Sequence, residues 1–273
     1  MTRSLESRQL VIFFGLAYGI AWLFFLLLGL SRAGLGWIPL TLPLPVMSVL
    51  GTLAPSLSAL ITLRVTEHRW PRKRSITNPL RWFLTMLLCA PLLCLTFAIL
   101  PAIVLVRAPW TLHWSALLSF SVFSYSTLIG GPLGEEPGWR GFALPRLEKM
   151  MAPWKASLFL GILWACWHLP LFLCLSWSSS SIPYYILIVL GLSGLMTFLF
   201  NLSGQSLTIA ILVHAIFNTA SRWLAALLGD QTLRDRWSPE LVMGLCGIII
   251  ASILIGVTRG KLANPESKMK AQA

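Results

Sequence analysis

Residues 10–30 read LVIFFGLAYGIAWLFFLLLGL and form one apolar run without a charged side chain. A helix of about 20 such residues crosses the hydrocarbon core of a bilayer. Arg3 and Arg8 precede the run, as basic residues precede the apolar part of a signal peptide. The run is too long for that role, however, and no small-residue cleavage site follows it. We therefore predict that residues 10–30 form a retained transmembrane helix.

Seven further apolar runs follow, separated by polar or turn-rich stretches such as SWSSSS at 176–181. None of these stretches is long enough for a soluble domain, and the runs show no repeated unit of the kind found in many transporters. The pattern predicts an all-α membrane protein of about eight transmembrane helices, with residues 1–273 as a single polytopic membrane domain. The predicted helices cover residues 10–30, 44–63, 82–106, 114–133, 156–175, 184–201, 205–228 and 240–258.

The composition excludes a soluble protein. Apolar residues make up 56% of the chain and charged residues only 11%, whereas about a quarter of a soluble domain is charged. The same values exclude an intrinsically disordered chain. The five cysteines lie within or at the ends of apolar runs and form no CxxC pair. We therefore predict free thiols rather than disulfides or a zinc finger.

The net charge of +12 does not indicate a nucleic-acid partner, because the basic residues fall in short clusters between apolar runs. When the N-terminus is placed inside, alternate loops put 16 Lys and Arg residues on the inner side and 5 on the outer side. Cytoplasmic loops carry such an excess. The distribution predicts a multi-pass protein of the plasma membrane with both termini in the cytoplasm, and the lipid bilayer as its surroundings.

Few ionisable residues lie within the predicted spans, and each costs at least about 2.5–3.5 kcal/mol to insert, so they indicate function. Taken singly, the acids could merely end a span, and the histidines could be hydrogen-bonded packing residues. Together they form a constellation on three separate spans. Its members are Glu135, Glu136 and Arg140 in GEEPGWRG, His168 in ILWACWHLP, and His214 and Asn218 in ILVHAIFN.

The spacing of these residues separates their roles. Adjacent residues on a helix point about 100° apart, so Glu135 and Glu136 cannot share one role. Arg140 lies four residues after Glu136, the spacing at which an acid and a base pair on a helix. His214 and Asn218 are also four residues apart and therefore project from one helix face.

Several other kinds of catalytic site are excluded or disfavoured. HExxH and GxSxG do not occur, so the zincin helix and the usual serine-hydrolase motif are absent. No aspartate lies in a predicted span, which excludes an intramembrane aspartyl dyad. Cys166 is two residues from His168 and on a different helix face, which disfavours a cysteine nucleophile.

Three segments resemble the motifs of the CPBP family, the CAAX-protease and bacteriocin-processing (Abi) intramembrane endopeptidases. They are GEEPGWRGFALPRLE, WACWHLPLF and HAIFN, and the family pattern is EExxxR, FxxxH and HxxxN in this order. The resemblance covers about residues 120–225, the catalytic core. Trp164 stands where the pattern has phenylalanine. The residues that match the motifs are Glu135, Glu136, Arg140, His168, His214 and Asn218.

The resemblance implies a helical bundle around a polar intramembrane cavity and hydrolysis of a peptide bond near the membrane surface. The implied substrate is a peptide or the prenylated C-terminus of a protein. Glu135 would be the general base, and His168 would orient the attacking water. His214 and Asn218 would donate hydrogen bonds to the oxyanion, and Glu136 with Arg140 would form a structural ion pair.

Three alternatives stay open. The chain could be a bacteriocin self-immunity protein that binds a partner without hydrolysis, or a proton-coupled transporter that uses the same acids and histidines. The protease itself could be of the glutamate type or a metalloenzyme. We favour no cofactor, because His214 fits better beside Asn218 as an oxyanion donor. If Zn²⁺ were present, its ligands would be Glu135, His168 and His214.

Overall fold

A computed structural model of the chain describes most of its residues, and among these all regular structure is helical. The described residues are 2–67, 82, 90, 92–105, 128–173, 181–228 and 238–264.

The helices are numbered here in chain order. The first three are α1 (Thr2–Leu30), α2 (Leu44–Thr52) and α3 (Ala54–Glu67), and a π-helical segment, Leu95–Ile99, leads into α4 (Leu100–Leu105). The central part contains α5 (Pro132–Gly138), a π-helical turn (Trp139–Ala143), α6 (Leu144–Met150) and α7 (Pro153–Trp167), which a 3₁₀ segment, Leu169–Leu173, extends. The last three are α8 (Ile182–Leu202), α9 (Leu207–Leu228) and α10 (Pro239–Val257).

Six helical segments in the described part of the chain are long and apolar enough to cross a membrane, so the predicted all-α membrane fold is confirmed. Of the predicted span 82–106 the structure describes residues 82, 90 and 92–105, which include a shorter apolar helix, Leu92–Ile103. The predicted span 114–133 lies mostly outside the described residues, and the count of eight therefore stays a prediction. The six segments are Ser4–Leu30, Leu44–Glu67, Pro153–Leu173, Ile182–Leu202, Leu207–Leu224 and Pro239–Val257.

The second span, Leu44–Glu67, has one local interruption at Leu53, between α2 and α3. Leu53 keeps helical backbone angles, so the segment still runs as one span. Pro55 follows the interruption, and a proline has no N–H with which to continue the helical hydrogen bonds. This span packs against α5, which carries the two adjacent acids.

Two glycines of α5 allow this close packing. A Cβ atom on Gly134 would lie 2.6 Å from the carbonyl oxygen of Thr52, and one on Gly138 would lie 2.5 Å from backbone atoms of Pro55. The hydroxyl of Ser56 also donates a hydrogen bond to the carbonyl of Gly134. Backbone therefore rests directly on backbone here, which is the role that small residues play between membrane helices.

A polar network joins α6 to the start of α1 and the end of α3. Arg146 donates to Gln9 at 2.9 Å and lies 3.3 Å from the carboxylates of both Glu6 and Glu67. Gln9 in turn donates to Glu67 at 2.8 Å. The network therefore holds α6, which follows the two acids along the chain, against α1 and α3.

Candidate active site

The first motif forms the start of a helix that is buried in the bundle. α5 begins at Pro132, which suits the first turn because its missing N–H would have no helical partner there. Glu135 and Glu136 follow within two turns and are 3% and 0% exposed. Two buried acids need partners, since an isolated buried charge is very costly.

Glu135 faces α7. Its Oε2 atom accepts a hydrogen bond of 2.7 Å from the indole Nε1–H of Trp164, which is also buried. The indole is a donor only, so this bond suits the ionised carboxylate.

Glu136 faces α9 and its own helix. Its Oε1 atom lies 3.1 Å from Nη1 of Arg140 and 2.7 Å from Nδ1 of His214. Arg140 is fully buried, and its guanidinium lies over the ring of Trp164 at 4.2 Å from the centroid. Such a contact adds cation–π attraction to the ion pair. Neighbouring acids thus point to different helices, as their spacing predicts.

His168 lies at the end of α7. Its Nδ1 atom is 2.9 Å from the carbonyl oxygen of Trp164, so Nδ1 carries the proton and, in the neutral ring, Nε2 is the basic atom. The ring contacts Trp167 at 4.7 Å and Tyr185 of α8 at 5.5 Å between centroids. The helix ends here because Pro170 follows, and the residue before a proline disfavours helical backbone.

Hydrogen bonds from α1 hold this end of α7. The hydroxyl of Tyr18 donates to the carbonyl of Leu163, and Trp22 Nε1 donates to the carbonyl of Trp167 at 3.1 Å. Trp167 Nε1 donates back to the carbonyl of Ala17 at 3.1 Å. Three hydrogen bonds with α1 therefore anchor the backbone that presents His168.

The third motif is carried by α9. His214 is buried, and its ring packs edge-on against Trp164 with 5.1 Å between centroids. Asn218, one turn later on the same face, is partly exposed. The structure thus brings Glu135, Glu136, Arg140, His168 and His214 around one tryptophan, with Asn218 adjacent to His214 along the helix.

Two residues near these groups make contacts in the site that the sequence analysis did not predict. Trp164 has a spacing of four to His168, which predicts only contact of the two rings, whereas its N–H reaches Glu135. Tyr185 lies in an apolar run without any motif, yet its ring contacts the ring of His168. Nothing in the sequence pattern marks Tyr185, because its position depends on how α8 packs on α7.

The structure also bears on the zinc alternative. In both histidines Nδ1 lies at an oxygen acceptor. Metal-binding histidines commonly have one ring nitrogen bonded to an oxygen in this way. Among the residues that the structure describes, however, no three His, Cys, Asp or Glu side chains form a group that could hold a metal ion. Whether the site works with or without zinc therefore stays a prediction.

Comparison with known proteins gives one family. The family model described as "Type II CAAX prenyl endopeptidase Rce1-like" matches residues 97–220, a range that contains all six candidate site residues. No curated protein matches the chain. The match agrees with the motifs and confirms the CPBP/CAAX-protease resemblance.

Proposed function

We propose that the chain acts as an intramembrane endopeptidase of the CAAX type that the matching family model describes, and that Glu135 is its general base. The observation that supports this role is the division of the two acids. Glu136 is bonded to Arg140 and His214, whereas Glu135 accepts from Trp164 through Oε2. Oε1 of Glu135 is then the oxygen that takes a proton from water.

In the proposed reaction, Glu135 and Nε2 of His168 hold the attacking water. The water oxygen bonds to the scissile carbonyl carbon as its proton moves to Glu135. The tetrahedral intermediate then collapses, the C–N bond breaks, and Glu135 returns the proton to the leaving amine. No step of this sequence requires a metal ion or a covalent intermediate.

His214 and Asn218 are the proposed donors to the oxyanion. Because Nδ1 of His214 donates to Glu136, its Nε2 can donate to substrate only when the ring is protonated. The carboxylate of Glu136 at 2.7 Å balances that positive charge. Glu136 would therefore stabilise the protonated His214 in addition to its ion pair with Arg140.

The proposed substrate is a peptide C-terminus at the membrane surface, either a prenylated CAAX sequence or a related peptide. The proposed location is the plasma membrane with both termini in the cytoplasm, as the charge distribution predicts. Reporter fusions at residues 75 and 273 should both report the cytoplasmic side. A reporter on the opposite side at either position would contradict this topology.

Hydrolysis by Glu135 is tested with purified wild-type protein and Glu135→Gln on a farnesylated, internally quenched CAAX peptide and on its unprenylated counterpart. We expect wild type to cleave at least one peptide, and Glu135→Gln to cleave neither while retaining its melting temperature. Glu148→Gln is the matched control, since Glu148 accepts from Asn201 and Asn264 at 2.6 and 2.7 Å, outside the site. Turnover by Glu135→Gln at the wild-type rate would contradict the proposal and favour a binding protein, such as an immunity protein.

A further inference from the structure

Trp164 contacts four of the six candidate site residues. Its indole N–H donates to Glu135, and its ring faces the guanidinium of Arg140 at 4.2 Å and the ring of His214 at 5.1 Å. Its backbone carbonyl accepts from His168. Trp164 therefore has contacts to residues of all three motifs.

The hydrogen bond to Glu135 has a specific consequence for the carboxylate. Rotation about the last side-chain bond of a glutamate is broad and almost free when nothing holds it. A directional N–H bond of 2.7 Å to Oε2 holds one orientation, and so sets where Oε1 points. Catalysis depends steeply on such placement, because a displacement of about 1 Å can cost about 100-fold in rate.

We propose that Trp164 is a positioning residue whose indole N–H orients the Glu135 carboxylate toward the attacking water. This inference rests on the proposed role of Glu135 as general base. Phenylalanine could not play this role because it has no donor, and tyrosine could not because its hydroxyl lies at a different distance from the backbone.

The contrary interpretation is that Trp164 only fills space in the bundle. Trp154 is a tryptophan of the same helix that lies away from the candidate site, at the start of α7. A Cβ atom on Gly260 would lie 2.6 Å from Cδ1 of its indole, and Nζ of Lys155 lies 5.5 Å from its ring centroid. Its replacement by phenylalanine should affect local packing without acting on the Glu135 carboxylate, so Trp154 is a matched control for Trp164.

The test compares three variants with wild type and Glu135→Gln, on whichever peptide wild type cleaves. Trp164→Phe removes the N–H and part of the ring. Incorporation of 3-benzothienylalanine at position 164 replaces only the N–H by sulfur and keeps the shape, so it serves even if Trp164→Phe folds poorly. Trp154→Phe is the control. For each protein, kcat, KM and the melting temperature in detergent are measured.

We expect benzothienylalanine at position 164 to lower kcat by about 10- to 100-fold, the factor that corresponds to one hydrogen bond to a charged group. KM should stay at its wild-type value, because the interaction orients the base and does not bind the substrate. The melting temperature should fall only modestly, because one buried acceptor loses its donor while the shape of the side chain is kept. Trp154→Phe should keep the wild-type kcat.

A wild-type kcat for the benzothienylalanine variant would overturn the inference, as would a loss of melting temperature without a loss of kcat. An equal loss of kcat in Trp154→Phe would also overturn it, because the effect would then be common to tryptophan substitutions in α7. If Glu135→Gln itself keeps full activity, the proposed function fails and the inference fails with it. If Glu135→Gln loses activity but the variants at position 164 keep the wild-type kcat, only the inference about Trp164 is refuted and the proposed function stands.

Discussion

Nδ1 of His214 lies 2.7 Å from Oε1 of Glu136, although 78 residues separate the two along the chain. The same oxygen is 3.1 Å from the guanidinium of Arg140. One carboxylate oxygen of the first motif therefore serves a cation of its own helix and the histidine of the third motif. The pair interpreted from the sequence as an ion pair is in fact part of a three-residue network.

Disruption of this network should cost both stability and activity. Each of Glu136→Ala and Arg140→Ala leaves a fully buried charge without its main partner, so we expect each to lower the free energy of unfolding by about 3–5 kcal/mol. Thermal unfolding in detergent measures the loss, and peptide cleavage measures the activity.

The control for this prediction is Lys149→Ala. Lys149 contacts Glu6 at 2.6 Å, but its side chain is 50% exposed. An exposed pair contributes about 0–1 kcal/mol, so the change should be small. Equal losses for the buried and the exposed pair would contradict the role assigned to Glu136 and Arg140.

His214 and Asn218 should differ from each other in the same assays. His214→Ala removes a buried donor to Glu136 and should lower both kcat and the melting temperature. Asn218→Ala alters a partly exposed side chain and should lower kcat by about 100-fold or more, as the loss of an oxyanion donor does, with little change in stability. If Asn218→Ala keeps the wild-type kcat, Asn218 does not stabilise the oxyanion.

The sequence alone predicts the local part of this architecture. Apolar runs predict the helices because a segment in lipid must satisfy its own backbone hydrogen bonds, as a helix does. Accordingly, α8 (Ile182–Leu202) and α10 (Pro239–Val257) begin and end within two residues of the predicted runs. Contacts at a spacing of four, such as Glu136 with Arg140, follow from helical geometry. The interruption at Leu53 was also open to prediction, because Pro55 lies inside the run 44–63.

The long-range part was not accessible in this way. The bonds from Trp164 to Glu135 and from His214 to Glu136 join different helices, and their partners depend on how those helices are rotated and packed. Hydropathy gives no rotation for a helix that is apolar on every side. The motifs therefore identify the residues but leave open which acid meets which histidine.

Gly138 should be far less tolerant of substitution than Gly141, three residues away. A Cβ atom at Gly138 would meet the backbone of Pro55 at 2.5 Å, so Gly138→Ala must push α5 away from α3 and displace both acids. We expect a loss of about 1–3 kcal/mol in stability and a large fall in kcat. At Gly141 the nearest atoms are the flexible end of Leu207 at 3.1 Å, and Gly141→Ala should be close to neutral in both assays. A neutral Gly138→Ala would show that α3 and α5 are not in backbone contact.

The last prediction concerns metal dependence. Glu135, His168 and His214 are side chains of the types that hold catalytic zinc. Nδ1 of each histidine lies at an oxygen acceptor, and a metal-bound histidine commonly has one ring nitrogen bonded in this way while the other binds the metal. Nδ1 of His214, however, is bonded to Glu136, and His214 shares a helix face with Asn218, where the two fit better as donors to the oxyanion. We therefore expect purified protein to contain much less than one zinc per chain and to keep its activity in ortho-phenanthroline. The non-chelating meta isomer of this compound controls for inhibition by an apolar molecule in the membrane. Stoichiometric zinc, with activity lost in the chelator and restored by added Zn²⁺, would instead make Glu135, His168 and His214 the ligands and would require their side chains to rearrange around the ion.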